Sequence, residues 1–474
     1  MLFRAQNSRY RIRPCCRSVL GAVVTILLSG CGGETVLEST PSSVSGITIE
    51  DNVLNVWWNR GYYDQEDEAL NAIIAQWEAE TGYRVNLYNN PEEDLVREVE
   101  AVLEEGNPPD IFFSNRIDET LVPRWAWDDQ LADLSTVVNP LRETYTAEAL
   151  DSVLLYNNTT QARSIYAVPL KQRTEHFHYW KDLLAEAGFS EADIPKEWDA
   201  FWAFWQEAQD RLRAKGYADL YALGLPIGWE SADTYSNFSQ ALDIYDVELF
   251  DDQGQLRTDA PTRQAVAQVL EWYTQFYQAG YVPPAAENWT NSDNNTSFLN
   301  KESLTAWNTT LSIPGAVRED EEVYRNGIGT LMLPAEPDGE PIRSRVSIQQ
   351  IVVFKTSPHP EMAQDFLNYL LQPDNLGPYL EGSLGRFFPV MPDLLAQPFW
   401  NNPEDPHVFV AAQQLQPDRV RLNDIATNPA YSLVQAENIW GRAMERVIVD
   451  KLSAQAATDE AFAQMAEIMG RWDS

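Results

Sequence analysis

The sequence is poor in positive charge, histidine and cysteine, and these shortages exclude several classes of protein. Its 474 residues include 34 lysines and arginines against 71 aspartates and glutamates, a formal charge of −37 at pH 7. So acidic a chain is unsuited to nucleic-acid phosphates or anionic lipid head groups, since both need a basic surface. Hydrophobic residues nevertheless make up 44% of the chain and aromatic residues 11%, enough for a large core rather than a disordered acidic polymer.

The three cysteines lie within the first 31 residues, which have the features of an export signal. Residues 1–18 contain five arginines and no acid, and the apolar run 19–28 is too short to span a bilayer as a helix. The sequence LSGC that ends at Cys31 resembles the bacterial lipobox, whose cysteine is diacylated after cleavage. We therefore predict a lipoprotein signal peptide over residues 1–30 and a stable lipid anchor at Cys31. An ordinary signal peptide with a chance cysteine is the alternative.

Cleavage before Cys31 changes the chemistry available to the mature chain. Five of the 34 basic residues are lost, which leaves 29 against 71 acidic residues and a charge of −42. Cys15 and Cys16 leave with the signal, so no disulfide, thiol nucleophile or cysteine metal site is expected. Residues 31–46 lack periodicity and are rich in Ser, Thr and Gly, which predicts a flexible tether. The body is expected in the periplasm or on the outer face of the cytoplasmic membrane, held there by lipid alone.

The first 60 residues of the body predict an open parallel sheet. Short apolar strands are expected near 52–58, 83–88 and 110–113, with helices between them, the first ended by Gly82. Strand–helix–strand order is typical of parallel sheets, which bind ligands at the carboxyl ends of their strands. The loops after the first and third strands are therefore candidates for a functional cleft.

The second half of the chain is richer in helix. Five tryptophans lie at helical spacing, one in the first predicted helix and four in later ones. All five are predicted to be core: Trp77, Trp198, Trp202, Trp205 and Trp272. Strands are expected near 166–170, 304–307 and 347–354.

Several segments resemble, in order, the extracellular solute-binding proteins of family 1, the carbohydrate importer family that includes the maltose-binding protein. WEAETGYRV at 77–85 and EGNPPDIFF at 105–113 are similar to its first lobe. YAVPL at 166–170 resembles the first crossing between lobes, and FLNKESLTA at 298–306 resembles the second. The segment 348–357 followed by PEMAQDFL resembles the third. The resemblance covers nearly the whole mature chain.

The resemblance implies an α/β fold of the periplasmic binding protein type II class. Two lobes, each a central mixed sheet flanked by helices, would be joined by crossover hinge strands and would close on a solute. The N-terminal lobe is expected to comprise 47–170 plus 304–352, and the C-terminal lobe 171–303 plus 353–474. The expected partners are a small sugar, glycoside or polyol and the permease subunits of an ABC transporter. The protein is expected to be a monomer without cofactor, metal or catalytic residues, and the sequence has no phosphate-binding loop for ATP.

Binding of a neutral sugar needs planar polar groups for hydroxyls and flat aromatic rings for C–H faces. Most candidates follow predicted strands or lie in polar loops. Arg345 and Arg386 are added because they lie where members of the resembled family often contribute to the cleft. The predicted ligand-binding residues are Trp58, Tyr62, Tyr63, Asp64, Glu66, Asn115, Arg116, Arg173, Thr174, Glu175, Trp229, Glu230, Asp233, Trp307, Asn308, Arg345 and Arg386.

Several of these residues have structural alternatives. Trp58 could be core, and Arg173 could form an inter-lobe salt bridge with Glu175. Part of the acidic run 64–68 would favourably occupy a helix N-terminus. His176 and His178 form a His-x-His pair, but no second histidine cluster is near in sequence, which disfavours a metal site.

Two other functions compete with sugar binding. A secreted glycoside hydrolase also needs paired carboxylates and aromatic residues, but with 71 acids a chance pair is no argument for one. A peptide, polyamine or phosphodiester solute is the other possibility. The net charge disfavours an anion, although Arg173, Arg345 and Arg386 could provide a local exception. A cation could be held by Asp64, Glu66, Glu175 and Glu230. Lysine is scarce among the basic residues, which fits either saline surroundings and a compatible solute or a GC-rich genome.

Overall fold

The structure is a computed structural model that describes residues 47, 50–251, 254–416, 419–422 and 428–472. The predicted signal peptide, Cys31 and the tether lie outside the described residues. Within the described residues, every helix is too short or too polar to cross a membrane.

Helices and strands alternate along the chain. The strands are β1 Val53–Asn59, β2 Arg84–Asn90, β3 Ile111–Phe113, β4 Leu154–Asn157, β5 Ala162–Ile165, β6 Val168–Arg173, β7 His176–Trp180, β8 Tyr221–Gly224, β9 Ser303–Asn308, β10 Ile328–Leu331, β11 Ser344–Val353, β12 Phe388–Pro389 and β13 Val420–Leu422. The α-helices are α1 Asp64–Thr81, α2 Glu92–Glu104, α3 Ile117–Thr120, α4 Val122–Trp127, α5 Ser135–Val138, α6 Ala147–Val153, α7 Lys181–Glu186, α8 Trp198–Ala214, α9 Ala232–Ile244, α10 Ala260–Gln278, α11 Asp293–Leu299, α12 Ser312–Gly315, α13 Pro360–Leu370, α14 Pro373–Gly382, α15 Pro392–Leu395, α16 Val408–Gln414, α17 Tyr431–Ala436, α18 Ile439–Ile448 and α19 Ala454–Gly470.

The first lobe is built on a mixed sheet with strand order β12–β6–β11–β3–β1–β2, and β13 also pairs with β11. The predicted parallel unit is confirmed, because β1 pairs in parallel with both β2 and β3. Helix α1 buries Leu70, Ile73 and Trp77 against this sheet and ends before Gly82. Gly82 has φ of 76°, a conformation that glycine adopts without the steric cost of a Cβ.

The second lobe has a smaller sheet with strand order β10–β7–β9–β8 and a separate hydrophobic core. The predicted core tryptophans of α8 are confirmed: Trp198, Trp202 and Trp205 are buried. Trp272 of α10 is partly buried and packs against the same core. These rings meet largely edge-on, an arrangement that the quadrupoles of aromatic rings favour.

The chain changes lobe at positions that differ from the predicted ones. It leaves the first sheet after β6, at Thr174 and Glu175, and returns between β10 and β11. It then passes from the first core to the second between β13 and α17. The predicted second crossing, 298–306, lies within the second lobe, and the predicted third, 348–357, includes most of β11 in the first lobe.

The predicted lobe boundaries are corrected accordingly. Strand β9 lies between β7 and β8 in the second sheet, although 304–352 had been expected in the first lobe. Helices α13 and α14 belong to the first core, although 353–474 had been expected in the second. There Phe366 meets the ring of Trp77 edge-on at 5.2 Å, and Asp365 accepts the indole N–H of Trp77 at 2.9 Å. Hydrophobic periodicity predicts such elements but not the sheet against which they pack.

Candidate functional site

A cleft between the two lobes contains two chambers. The first, which we call the arginine chamber, has a volume of about 410 Å³ and is lined by Asn59, Arg60, Gly61, Tyr62, Pro91, Glu92, Asn115, Arg116, Arg173, Ala232, Asp233, Asn291, Ser292, Asn295, Asn308, Thr309, Thr310, Ser312, Arg386 and Phe387. The second, the tryptophan chamber, has a volume of about 460 Å³ and is lined by Val96, Glu100, Arg116, Glu119, Thr120, Leu121, Arg124, Arg173, Trp229, Glu230, Ala232, Asp233, Tyr235, Ser236, Gln435, Ala436 and Asn438. Arg116, Arg173 and Asp233 border both chambers, so these are parts of one cleft.

The first-lobe wall is formed where strands of the sheet end. Asn59 is the last residue of β1, and Arg60 follows it. Asn115 and Arg116 follow β3, which pairs in parallel with β1, so both pairs of residues reach the same edge of the sheet. The Oδ1 atom of Asn59 accepts the backbone N–H of Asn115 at 3.4 Å, which links the two strand ends. Arg173 ends β6.

The arginines of this wall are held by neighbouring acids and rings. Arg116 lies 3.1 Å from Glu92, and Arg173 lies 3.8 Å from Glu119. Burial disfavours charge on Arg173, but Glu119 and the other nearby acids outweigh it and raise its pKa. The guanidinium of Arg386 lies over the ring of Tyr62, 4.6 Å from the centroid. Tyr62 is 50% exposed, so its ring can still contact a solute.

The second-lobe wall of the arginine chamber is a network of amides and hydroxyls. Asp233 accepts hydrogen bonds from the Thr309 hydroxyl at 2.9 Å and the Asn294 amide at 3.4 Å. Burial raises the pKa of Asp233, although Arg173 opposes the shift. The Asn308 amide donates to the Thr310 carbonyl at 2.9 Å and to the Ser312 hydroxyl at 3.0 Å. These bonds fix the polar groups before any solute binds.

The tryptophan chamber contains an exposed aromatic ring on a fixed loop. Trp229 is 38% exposed, and the guanidinium of Arg442 lies 4.5 Å from its ring centroid. The Asn438 side chain donates to the backbone carbonyls of Trp229 and Ser231 at 2.6 and 2.8 Å. Gly441 packs so closely against the Trp229 backbone that a Cβ there would overlap it. The ring is therefore held in place as a stacking surface.

Polar groups of both lobes meet beneath the cleft, where the chain first crosses between lobes. Glu119 of the first lobe accepts a hydrogen bond from the Gln435 amide of the second. Glu175 is buried, and its Oε2 atom has no partner among the described residues. Burial, assisted by Asp233, raises the pKa of Glu175 to about 8, so this carboxyl is mostly protonated at neutral pH. Thr174 donates to the Arg345 carbonyl at 2.9 Å.

Nine of the predicted site residues line the two chambers. They are Tyr62, Asn115, Arg116, Arg173, Trp229, Glu230, Asp233, Asn308 and Arg386. Thr174, Glu175 and Arg345 lie deeper, at a small cavity beneath the cleft. The side chain of Arg345 is already engaged there, because its Nε and Nη2 atoms donate to the two Asp243 oxygens at 2.7 Å each.

Other predicted site residues lie away from both chambers. Trp58 packs on Phe113 in the first core, and Trp307 is buried in the second. Both are corrected to core residues, because a solute cannot stack on a fully buried ring. Tyr63 points its hydroxyl at Gly315 of the other lobe, where burial raises the tyrosine pKa to about 12. Asp64 is exposed in the first turn of α1.

Glu66 is also corrected from ligand-binding to structural. It is buried in the first lobe, and its Oε1 atom lies 2.5 Å from Lys171 Nζ. Lys171 is fully buried and lies 4.1 Å from the ring centroid of Phe387. A buried carboxylate must be paired, and this pairing leaves Glu66 unavailable to a cationic solute.

The histidine pair makes structural contacts, His176 with the other lobe and His178 with the neighbouring strand β10 of its own sheet. Nδ1 of His176 lies 2.6 Å from Oε1 of Gln414, and Nδ1 of His178 lies 2.9 Å from Oγ1 of Thr330. Burial lowers the pKa of His176 to about 4 and that of His178 well below its ordinary value. Both rings are therefore neutral at physiological pH.

Sequence reasoning missed much of the lining. Asn59 and Arg60 could have been found by the rule that identified Asn115 and Arg116, since they lie at the end of a strand in the same sheet. Asn291 and Asn295 flank the start of α11 without any distinguishing pattern. Gln435 and Asn438 reach the cleft from the C-terminal helices, a placement that only the packing of the second lobe creates.

A fold of two α/β lobes with a polar cleft between them is typical of a solute-binding protein. The sequence profile of a family described as bacterial extracellular solute-binding protein matches residues 72–410. The chain belongs to this family.

Individual relatives are similar in sequence or in structure. The Escherichia coli K12 protein YcjN, named as an ABC transporter periplasmic-binding protein, is 23% identical over 387 residues, which is 81% of each chain. An ABC transporter solute-binding protein of Thermotoga lettingae with bound α-D-tagatose has a TM-score of 0.71 and 18% identity, over 88% of this chain and 100% of that one. The cyclic α-maltosyl-1,6-maltose-binding protein of Arthrobacter globiformis has a TM-score of 0.69 and 20% identity, over 88% and 98%. These similarities establish the two-lobed periplasmic binding protein fold.

Proposed function

We propose that the protein is the substrate-binding component of an ABC importer and captures a carbohydrate or polyol-like solute. The two lobes close on the solute about the crossing segments, and the closed protein delivers it to a membrane permease. The protein binds its solute without chemical conversion.

The composition of the cleft carries this proposal. Its walls combine amide, hydroxyl, carboxylate and guanidinium groups, the partners that solute hydroxyls need as both donors and acceptors. Each chamber has one exposed aromatic ring, Tyr62 or Trp229, which can cover the C–H face of a sugar. Each chamber volume also falls within the range of about 300–1,000 Å³ found for small-molecule sites.

The relatives support the same function. YcjN carries the name of an ABC transporter component. The Thermotoga protein has a bound ketohexose, and the Arthrobacter protein is named for a cyclic maltose derivative. Solutes of such different sizes fit one fold, so the size of this solute depends on the chamber residues.

We further propose that the mature chain begins at a diacylated Cys31 and is held as a monomer at the outer face of the cytoplasmic membrane. The lipobox-like sequence before Cys31 supports the anchor. Lipid must provide the attachment, because the acidic mature chain gains no electrostatic attraction to anionic membranes.

A thermal-shift screen of the purified protein against neutral sugars, sugar acids and phosphates, polyols, amino acids and polyamines tests the function. A ligand that binds only the folded state raises stability by RT ln(1 + [L]/Kd). We expect stabilisation by a carbohydrate or polyol derivative, one-to-one binding by calorimetry, and no product by chromatography. Stabilisation by amino acids or polyamines alone would contradict the proposal, and so would multiple turnover of a glycoside.

A further inference from the structure

The arginine chamber is basic in a protein that is otherwise strongly acidic. Its guanidinium groups come from Arg60, Arg116, Arg173 and Arg386, and the facing carboxylates are those of Glu92 and Asp233. With Glu119, which pairs with Arg173 from the adjoining chamber, four cations meet three anions here, whereas acids outnumber bases by 71 to 34 in the whole chain. A local excess of one charge in a cleft attracts solutes of the opposite charge.

The excess comes from two arginines without an acidic partner among the described residues. Arg116 and Arg173 are paired with Glu92 and Glu119, as described above. Among the described residues, the one acceptor for the Arg60 side chain is the backbone carbonyl of Asn89, at 3.3 Å. Arg386 has a buried Nε–H with no acceptor in the described part of the chain. An unsatisfied buried donor is costly, and a charged one costs more, so this atom calls for an acceptor that the described residues do not provide.

Arg386 is also positioned rather than freely mobile. Its guanidinium lies over the ring of Tyr62 and over that of Phe387, with centroids 4.6 and 5.2 Å away. Ring contacts restrain a guanidinium plane but do not satisfy its N–H groups. A restrained planar fork matches the two oxygens of a carboxylate or phosphate.

We propose that the solute carries an anionic group, a carboxylate or a phosphate, on a polyhydroxylated body. The anionic group binds in the arginine chamber, with Arg386 as its principal contact and Arg60 contributing charge. The hydroxyl-bearing part contacts the amides and hydroxyls of the second lobe. This inference rests on the proposed function and narrows its solute class.

The experiment compares matched solutes by calorimetry: D-glucose with D-glucuronate and D-glucose 6-phosphate, and glycerol with D-glycerate and glycerol 3-phosphate. We expect an anionic member to bind about 10- to 100-fold more tightly than its neutral parent, the range for charge-assisted hydrogen bonds. The preference should weaken as salt is raised. The carboxylate and phosphate members distinguish the two kinds of anion.

Variants then locate the preference. Arg386→Gln should reduce it to less than about 3-fold, because the charge and the fork are lost together. Arg60→Gln, at an exposed side chain, should reduce it in the same direction without affecting folding. Arg263→Gln removes the same charge from the surface of α10, where the arginine pairs with Asp459 at 3.5 Å, and should leave the preference unchanged.

The results separate this inference from the proposed function. Neutral members that bind as tightly as their anionic partners would overturn the inference and leave the function standing. An anion preference that survives in both the Arg386 and Arg60 variants would also overturn it. If every neutral and anionic member fails to bind, and only amino acids or polyamines stabilise the protein in the thermal-shift screen, the proposed function itself is refuted.

Discussion

Replacement of Trp229 by alanine removes the exposed ring of the tryptophan chamber without opening the core. The ring is 38% exposed and lies on a loop fixed by Asn438. Its removal should therefore weaken solute binding far more than it lowers the melting temperature. The partner of Trp229, Arg442, stays in place, so the cleft keeps its charge.

The magnitude follows from the exposed area. A tryptophan presents roughly 250 Å² in total, so 38% exposure leaves about 95 Å² available to a solute. A sugar stacked on one face covers about half of this area, which is worth roughly 1.2 kcal/mol at about 25 cal/mol per Å². The ring contact itself adds about 0.5–1 kcal/mol. The expected loss of about 2 kcal/mol corresponds to a Kd about 30-fold higher.

Calorimetric titration with the solute found in the screen measures the loss. Tyr217→Ala is the matched control, because Tyr217 is 40% exposed and lies outside both chambers. Trp229→Phe should retain much of the affinity, since a flat ring remains. Tyr62→Ala tests the other chamber in the same way.

A Kd for Trp229→Ala within twofold of the original would show that the solute does not stack on Trp229. The solute would then lie in the arginine chamber alone, and Tyr62→Ala should show the larger effect. A loss of affinity equally large in Tyr217→Ala would show that the effect does not arise from stacking.

Three further predictions concern the fold and the anchor. Lys171→Met leaves Glu66 buried without its cation and should lower the free energy of unfolding by about 3–5 kcal/mol in denaturant titrations. Adding Glu66→Gln should recover part of this loss, because the buried charge is then removed. A loss below about 1 kcal/mol in Lys171→Met would contradict the pairing. Because the pKa of Glu175 is raised to about 8 from 4.5, the folded state retains a proton that the unfolded chain releases, so this carboxyl makes stability fall as pH rises from about 4.5 to 8. Glu175→Gln should therefore stabilise the protein more at pH 8 than at pH 5, and an equal shift in melting temperature at both would refute this. Cys31→Ser should abolish fatty-acid labelling and release the protein from the membrane fraction, and retained labelling would place the anchor elsewhere.

Local sequence patterns were sufficient to predict the first part of the fold, from β1 to β3. The apolar run of β1, the helical spacing of Leu70 and Trp77, and the stop at Gly82 all depend on neighbours in sequence. The same holds for the strand-end residues Asn115 and Arg116, because the carboxyl edge of a parallel sheet follows from strand direction. Strand direction was predictable from the intervening helices.

Sequence patterns were insufficient where a buried side chain and an exposed one lie in similar local sequences. Trp58 and Trp229 both lie in or next to apolar segments followed by polar loops, yet one ring is buried against Phe113 and the other is exposed. Arg345 and Arg386 likewise differ in that a carboxylate, that of Asp243, reaches the guanidinium of Arg345. Such differences depend on residues distant in the chain.

Composition and periodicity over short segments account for the acidic character of the protein, its α/β class and strand ends in the first-lobe wall of the cleft. The lobe that β9, α13 and α14 join, and the arginines that remain without an acid in the arginine chamber, became known only from the folded chain. Periodicity specifies that a helix or strand has a buried face, whereas the partner of that face, and the neighbours of a charge, are set by packing between distant segments.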